Sequence, residues 1–172
     1  MRIGVRGHDY GTTTATELAR RISEAGFSCL QLALHKAIEG VQPEYGRLNP
    51  GFCYDVRRAF EDRHLEVAVL GCYIDPASPD EEKRLYDVKR FREQVAYCRQ
   101  LGSNIVATET SSYQGDEAGR EAQFARLTDS VLRMVEQAER FGVFVGIEPV
   151  HVHTLNTPAL TRRLLDIVAC DN

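Results

Sequence analysis

The chain has 172 residues, 43% of them hydrophobic and 27% charged, with a formal net charge of −4, a composition that suits one globular domain with a single core. No apolar run approaches the roughly 18 residues of a membrane-spanning helix, and the N-terminus, MRIGVRGHDYG, lacks a secretory pattern, so a cytoplasmic protein with no membrane partner is expected. Its 21 Lys and Arg are interleaved with 25 Asp and Glu as on solvated helix faces, which leaves no basic patch for nucleic acid.

Arg2 to Gly7 reads as a first strand. Thr14-Ala-Thr-Glu17 forms a capping box that opens a helix to about Ala25, and Gly26 is placed to end it. Cys29 to Leu34 is the second strand, and His35 to Gly51 is a long loop with at most a short helical turn. A helix over Phe52 to His64 leads into Leu65 to Tyr73, a nearly continuous apolar run of the kind found in strands covered on both faces. Ser78-Pro-Asp-Glu81 offers a second capping box. The helix it opens places Leu85, Val88, Phe91, Val95, Cys98 and Leu101 at steps of three and four, and Gly102 closes it.

Asn104 to Thr108 is the fourth strand. From about Asp116 the spacing of Phe124, Leu127, Val131, Met134 and Ala138 predicts a helix ended near Gly142. Val143 to Ile147 is the fifth strand, and Thr157-Pro158 starts a last helix towards Cys170. The five cysteines (Cys29, Cys53, Cys72, Cys98 and Cys170) are odd in number, contain no CxxC pair and read as reduced thiols, with Cys72 in the core.

Strand and helix alternate five times over residues 1–172 with no linker, which predicts a single α/β domain with a parallel sheet. Two architectures fit: an open doubly wound five-stranded sheet, or five βα units of an eight-unit TIM barrel. A complete barrel usually takes about 250 residues.

In both, the strand-to-helix loops at the carboxyl ends of the strands build the site. Those ends carry Arg6, His8 and Asp9; His35 and Lys36; Cys72, Tyr73 and Asp75; Glu109 and Thr110; Glu148, His151 and His153. Taken singly, such residues are most often solvated loop positions. Glu109 and Glu148 stand apart because each directly follows an apolar strand. Two desolvated carboxylates cost several kcal/mol unless paired, hydrogen-bonded or bound to a cation, so a divalent metal or a polyhydroxylated ligand is expected there. His151 and His153 are weaker candidate ligands. No GxGxxG, GxxxxGK[ST] or GxSxG motif is present.

The run IGVRGHD, the strand VLGCY followed by PDEEK, ATET at the fourth strand and GIEPVHVHTLNTP at the fifth together resemble the sugar phosphate isomerase/epimerase family, with a xylose isomerase-like TIM barrel. That resemblance implies a sugar or sugar phosphate substrate and a divalent cation, manganese, magnesium or cobalt, held by a Glu, an Asp, a His and a second Glu. It makes Glu148 the first metal ligand and a catalytic acid/base acting through an enediolate, and His8, Glu109 and His153 substrate contacts.

The other ligands of the family would lie beyond Asp171-Asn172, so the resemblance covers five of eight units and implies impaired catalysis in this chain. The alternative is a non-catalytic five-unit domain acting through self-assembly or ligand binding. A third reading, the zinc-dependent endonuclease branch of the same superfamily, needs histidines where Cys72-Tyr73 and Glu109-Thr110 stand. Open strand edges lead to the expectation of a homo-oligomer.

Overall fold

In the computed structural model of the chain, which describes residues 2–170, five parallel strands form one sheet in the order β1-β2-β3-β4-β5. These are β1 (Gly4–Arg6), β2 (Cys29–Leu32), β3 (Glu66–Gly71), β4 (Ile105–Glu109) and β5 (Phe144–Glu148). Each strand pairs with its successor in sequence. A doubly wound sheet reverses its winding direction partway; here the direction never reverses, so the winding is that of a TIM barrel and the open-sheet alternative falls. Asp171 and Asn172, where the sequence places the approach to a sixth strand, lie outside the described residues.

The helices are α1 (Ala15–Glu24), α2 (Leu34–Ala37), α3 (Pro50–Glu61), α4 (Glu81–Tyr97), α5 (Glu117–Phe141) and α6 (Pro158–Val168). Their starts follow cap chemistry. Thr14 accepts from the Glu17 amide, Asn49 from Phe52, Asp116 from Gly119 and Thr157 from Leu160, each bond satisfying an amide the helix leaves free. Helix α4 departs from the capping box read at Ser78. Its cap is Asp80, whose side chain accepts from the Lys83 amide at 3.1 Å, while the Ser78 amide donates to the Asp75 carbonyl in a preceding turn. Helix α5 ends where Gly142 takes φ 59 and ψ 43, a left-handed conformation that glycine adopts without steric cost.

Alternate strand residues Leu30, Leu32, Leu70 and Val106 are fully buried with Phe60 and Phe91 and the inward stripe of α5: Phe124, Leu127, Val131, Met134 and Ala138. Within this layer the buried Arg84 of α4 reaches α5. Its guanidinium donates to Asp129 at 2.6 Å and to the Ser130 hydroxyl at 2.9 Å. On the other face of the sheet, strand partners are small where they meet. A Cβ added to Gly4 would lie 2.8 Å from the Cys29 sulfur, and one added to Gly146 would lie 2.9 Å from the Ala107 Cβ.

The segment read as a long loop contains α2, immediately after β2. The rest of that loop is fastened to α4: Glu93 accepts from the amides of Gly46 and Leu48 at 3.0 to 3.2 Å, and the Tyr86 hydroxyl accepts from the Tyr45 amide at 3.1 Å. None of the five cysteines is in a disulfide. Burial pushes the Cys72 thiol up to about 12, so it is a protonated core residue at neutral pH, as its sequence position suggested. Among the described residues no helix is long and apolar enough to cross a membrane.

Candidate functional site

Glu109 and Glu148 are the last residues of β4 and β5 and stand opposite one another in register. Partners in a parallel ladder project from the same face of neighbouring strands, about 4.8 Å apart. Two residues back, the same face carries Ala107 beside Gly146, so the floor beneath the two carboxylates is bare of bulk. The expectation that both acids would be desolvated needs correcting: Glu148 is exposed and Glu109 half-buried, because this end of the sheet opens to solvent. Burial alone therefore does not demand a cation between them.

Across the rim, β1 ends in Arg6, whose Nε donates to Asp9 at 3.1 Å. The 3-10 turn Gly7–Tyr10 that follows carries His8, half-buried, with its Nδ1 shielded from solvent and unpartnered. Burial first, then the nearby Lys36 ammonium, lowers the His8 pKa, so the ring is neutral at pH 7. Its edge meets the Tyr73 ring at a centroid distance of 5.8 Å and an interplanar angle of 85°. Helix α2 sets Lys36 above the same ring, with Nζ 3.4 Å from the centroid, a cation–π contact. Burial, followed by the charges of Glu109 and Glu148, raises the Tyr73 phenol, while a hydrogen bond with Gln31 works the other way. Tyr73 is thus the hub where the β1, β2, β4 and β5 ends meet.

The loops after β4 and β5 are stitched together. The Tyr113 amide donates to the Val152 carbonyl at 2.9 Å, the Thr154 amide to the Ser111 carbonyl at 2.9 Å, and an Arg120 Nη to the His153 carbonyl at 3.1 Å. This holds His153 inward, 8% exposed, with its Nδ1 buried and unpartnered; His151 stays exposed on the turn. Ser111 also donates to Asp75, which takes a further bond from Lys83 at 2.9 Å. Burial works upward on Asp75, but these bonds outweigh it and hold the carboxyl below its usual range.

A cleft of about 660 Å³ results, walled by Lys36, Tyr73, Glu109, Thr110, Arg126 and His153. Three of the four predicted site residues share this rim: Glu109 beside Glu148 on the strand ends, and His153 in the cleft with Glu109. His8 joins them through Tyr73. The sequence reading placed Tyr73 and Lys36 on the rim without giving either a role; a polar aromatic just past a strand end was the available signal.

Among the described residues no three His, Cys, Asp or Glu side chains converge into a group that could hold a metal. A pair of carboxylates is part of a hard-cation donor set, but two donors do not complete one. The residues present therefore do not by themselves fit a catalytic divalent ion.

Comparison with solved structures finds the same fold in L-ribulose 3-epimerase (22% identity, TM-score 0.74, covering 99% of this chain and 58% of that one). It recurs in D-psicose 3-epimerase solved in the presence of D-fructose (16%, 0.77, 100% and 61%). It recurs again in a xylose isomerase-like TIM barrel protein from Mycobacterium smegmatis in complex with magnesium (15%, 0.71, 99% and 62%). The chain thus spans 58 to 62% of the length of these neighbours. No curated protein sequence matches it. The family profile described as a xylose isomerase-like TIM barrel matches residues 19–172, and with strands wound in one direction and the acids gathered at their carboxyl ends, the chain belongs to the xylose isomerase-like TIM barrel family.

Proposed function

We propose that this chain is the βα1–5 portion of a sugar, or sugar phosphate, isomerase or epimerase in which Glu148 is the acid/base. The observation that carries this reading is the in-register pair of Glu109 and Glu148 at the strand ends, of which Glu109 lines a cleft whose other walls can hydrogen-bond hydroxyls. The Glu148 carboxylate takes the proton from the carbon beside a substrate carbonyl. The C–H electron pair then moves into the carbonyl and leaves an enediolate. Return of a proton to the former carbonyl carbon, with the hydroxyl proton of the adjacent carbon passing to the enolate oxygen so that a new carbonyl forms, gives isomerisation; reprotonation of the original carbon from its other face gives epimerisation.

Glu109, His8 and His153 hold hydroxyl groups and fix which carbon faces Glu148. Structural neighbours named as 3-epimerases of ribulose and psicose support a ketose substrate. A divalent cation, manganese, magnesium or cobalt, would take Glu148 as one ligand, and the neighbour in complex with magnesium supports a metal in this family. Among the described residues no third donor converges to complete such a ligand set, and no step above depends on a metal.

The test is solvent exchange. The protein is incubated in deuterium oxide with ketopentoses and ketohexoses, and proton NMR follows the hydrogen beside the carbonyl. Exchange above the protein-free blank is expected, falling by about two orders of magnitude or more in Glu148→Gln. Equal exchange in Glu148→Gln would remove its assigned role. Sugar binding without any exchange would leave the non-catalytic binding domain as the function of this chain.

A further inference from the structure

The charges along the cleft are unequally matched. Among the described residues Lys36 is in no ion pair, its ammonium resting on the Tyr73 ring. Arg126 is in none either; its Nε donates to the Ala77 carbonyl at 3.0 Å. This contrasts with helix surfaces laced by pairs such as Arg57–Glu61 and Arg140–Glu136. Of the two acids on the cleft wall, Asp75 is already engaged by Lys83 and Ser111, which leaves Glu109. A protein of net charge −4 therefore lines this cleft with two uncompensated cations against one uncompensated carboxylate.

Two buried groups in the same wall also lack partners. Thr110 is 1% exposed and His153 8% exposed, and the Thr110 hydroxyl and the His153 Nδ1 make no hydrogen bond. Buried polar atoms of this kind cost free energy unless something meets them. An oxygen-rich ligand would supply both acceptors and donors.

We infer that this cleft receives an anionic group of the substrate, a phosphate monoester or a carboxylate, with the Lys36 ammonium as its main electrostatic contact. The inference rests on the sugar-handling function proposed above and adds the substrate class. The Tyr73 ring fixes the ammonium in place before binding, so less side-chain freedom is lost when the anion arrives. His8, neutral beside it, adds no charge of its own. Glu109 and Glu148 repel an anion, so the charged end of the ligand lies towards Lys36 and the reacting carbon towards Glu148. Charge separation along the rim thereby orients the substrate.

Calorimetric titration at low ionic strength tests this with two probes, sodium phosphate and sodium acetate, against a sodium chloride control. Saturable anion binding is expected, weakened roughly tenfold or more in Lys36→Met and held within about threefold in Lys36→Arg. Tyr73→Leu, which removes the ring beneath the ammonium, weakens it as well. Phosphate bound more tightly than acetate assigns a monoester, and the reverse order a carboxylate. The inference is overturned if neither anion binds saturably, or if Lys36→Met binds as the native protein does. Anion binding requires no turnover, and Glu148→Gln, which removes a repelling charge, does not weaken it, so failure here is distinct from failure of the exchange experiment. A ketose phosphate compared with the free ketose completes the series, with the phosphate ester binding more tightly.

Discussion

At the scale of single residues, the two half-buried histidines of the rim couple stability to pH. Burial is the first cause of the lowered pKa of both His8 and His35. Lys36 and Arg6 push His8 the same way against Asp9, and Arg90, Lys36 and His8 push His35. An unfolded imidazole titrates near 6.5, so below that pH the unfolded chain binds protons that the folded one resists. Stability is then complete above about pH 6.5 and lost as pH falls towards the folded values. The melting temperature should drop between pH 7.5 and 5.5, and the slope should flatten in His35→Gln. A flat or opposite profile in the native protein would refute this. Carboxylates held low by ion pairs, such as Glu17 at about 2, titrate below this window.

Residue identity was legible for Glu109 and Glu148 because an acid directly after an apolar strand must emerge at the rim. Their exposure was not, since it depends on what faces them across the sheet. The Lys36–Tyr73–His8 stack was likewise invisible. Its members come from three different βα units, and only the pitch of the sheet brings them together.

At the scale of elements, α4 and α5 are joined through one buried cation. Arg84 has 8% of its side chain exposed and is bonded to Asp129 and Ser130, yet its Nε has no partner. Removing the side chain leaves Ser130 unsatisfied and a cavity behind. We expect Arg84→Ala to cost about 2 to 4 kcal/mol in denaturant unfolding, and Arg84→Met, which keeps the packing and discards the charge, markedly less. Equal losses would show that the charge and its hydrogen bonds, and not the packing of the side chain, matter there.

Element positions were well read wherever a cap or a terminal glycine marked them, as at Thr14, Thr157 and Gly142. Ser78 misled because Ser-Pro-Asp-Glu contains two competing caps. Proline at position 79 suits the first turn of a helix begun at Ser78, but Asp80 is followed by the Glu81 and Glu82 pair that best complements a helix start, and the helix begins there.

At the scale of the whole molecule, β1 and β5 are, among the described residues, the outer strands of the sheet, and Ile3, Phe144, Leu165 and Ile167 are exposed. Unsatisfied strand edges flanked by apolar side chains favour pairing with another copy. Light scattering is expected to give a mass of two chains or more, and a mass of one chain at micromolar concentration would contradict it. The repeat of strand and helix was evident from periodicity alone. The choice of barrel over doubly wound sheet was not, because winding direction leaves no mark on local composition and length pointed towards the open sheet.

The unbroken neighbour-to-neighbour strand order has a kinetic consequence. Each strand finds its partner in the segment made just before it, so the structure can grow in the direction of synthesis, each new unit docking on a finished template. β2, β3 and β4, each flanked on both sides, should then hold their amide hydrogens longest against exchange, with protection decaying outward to the two margins.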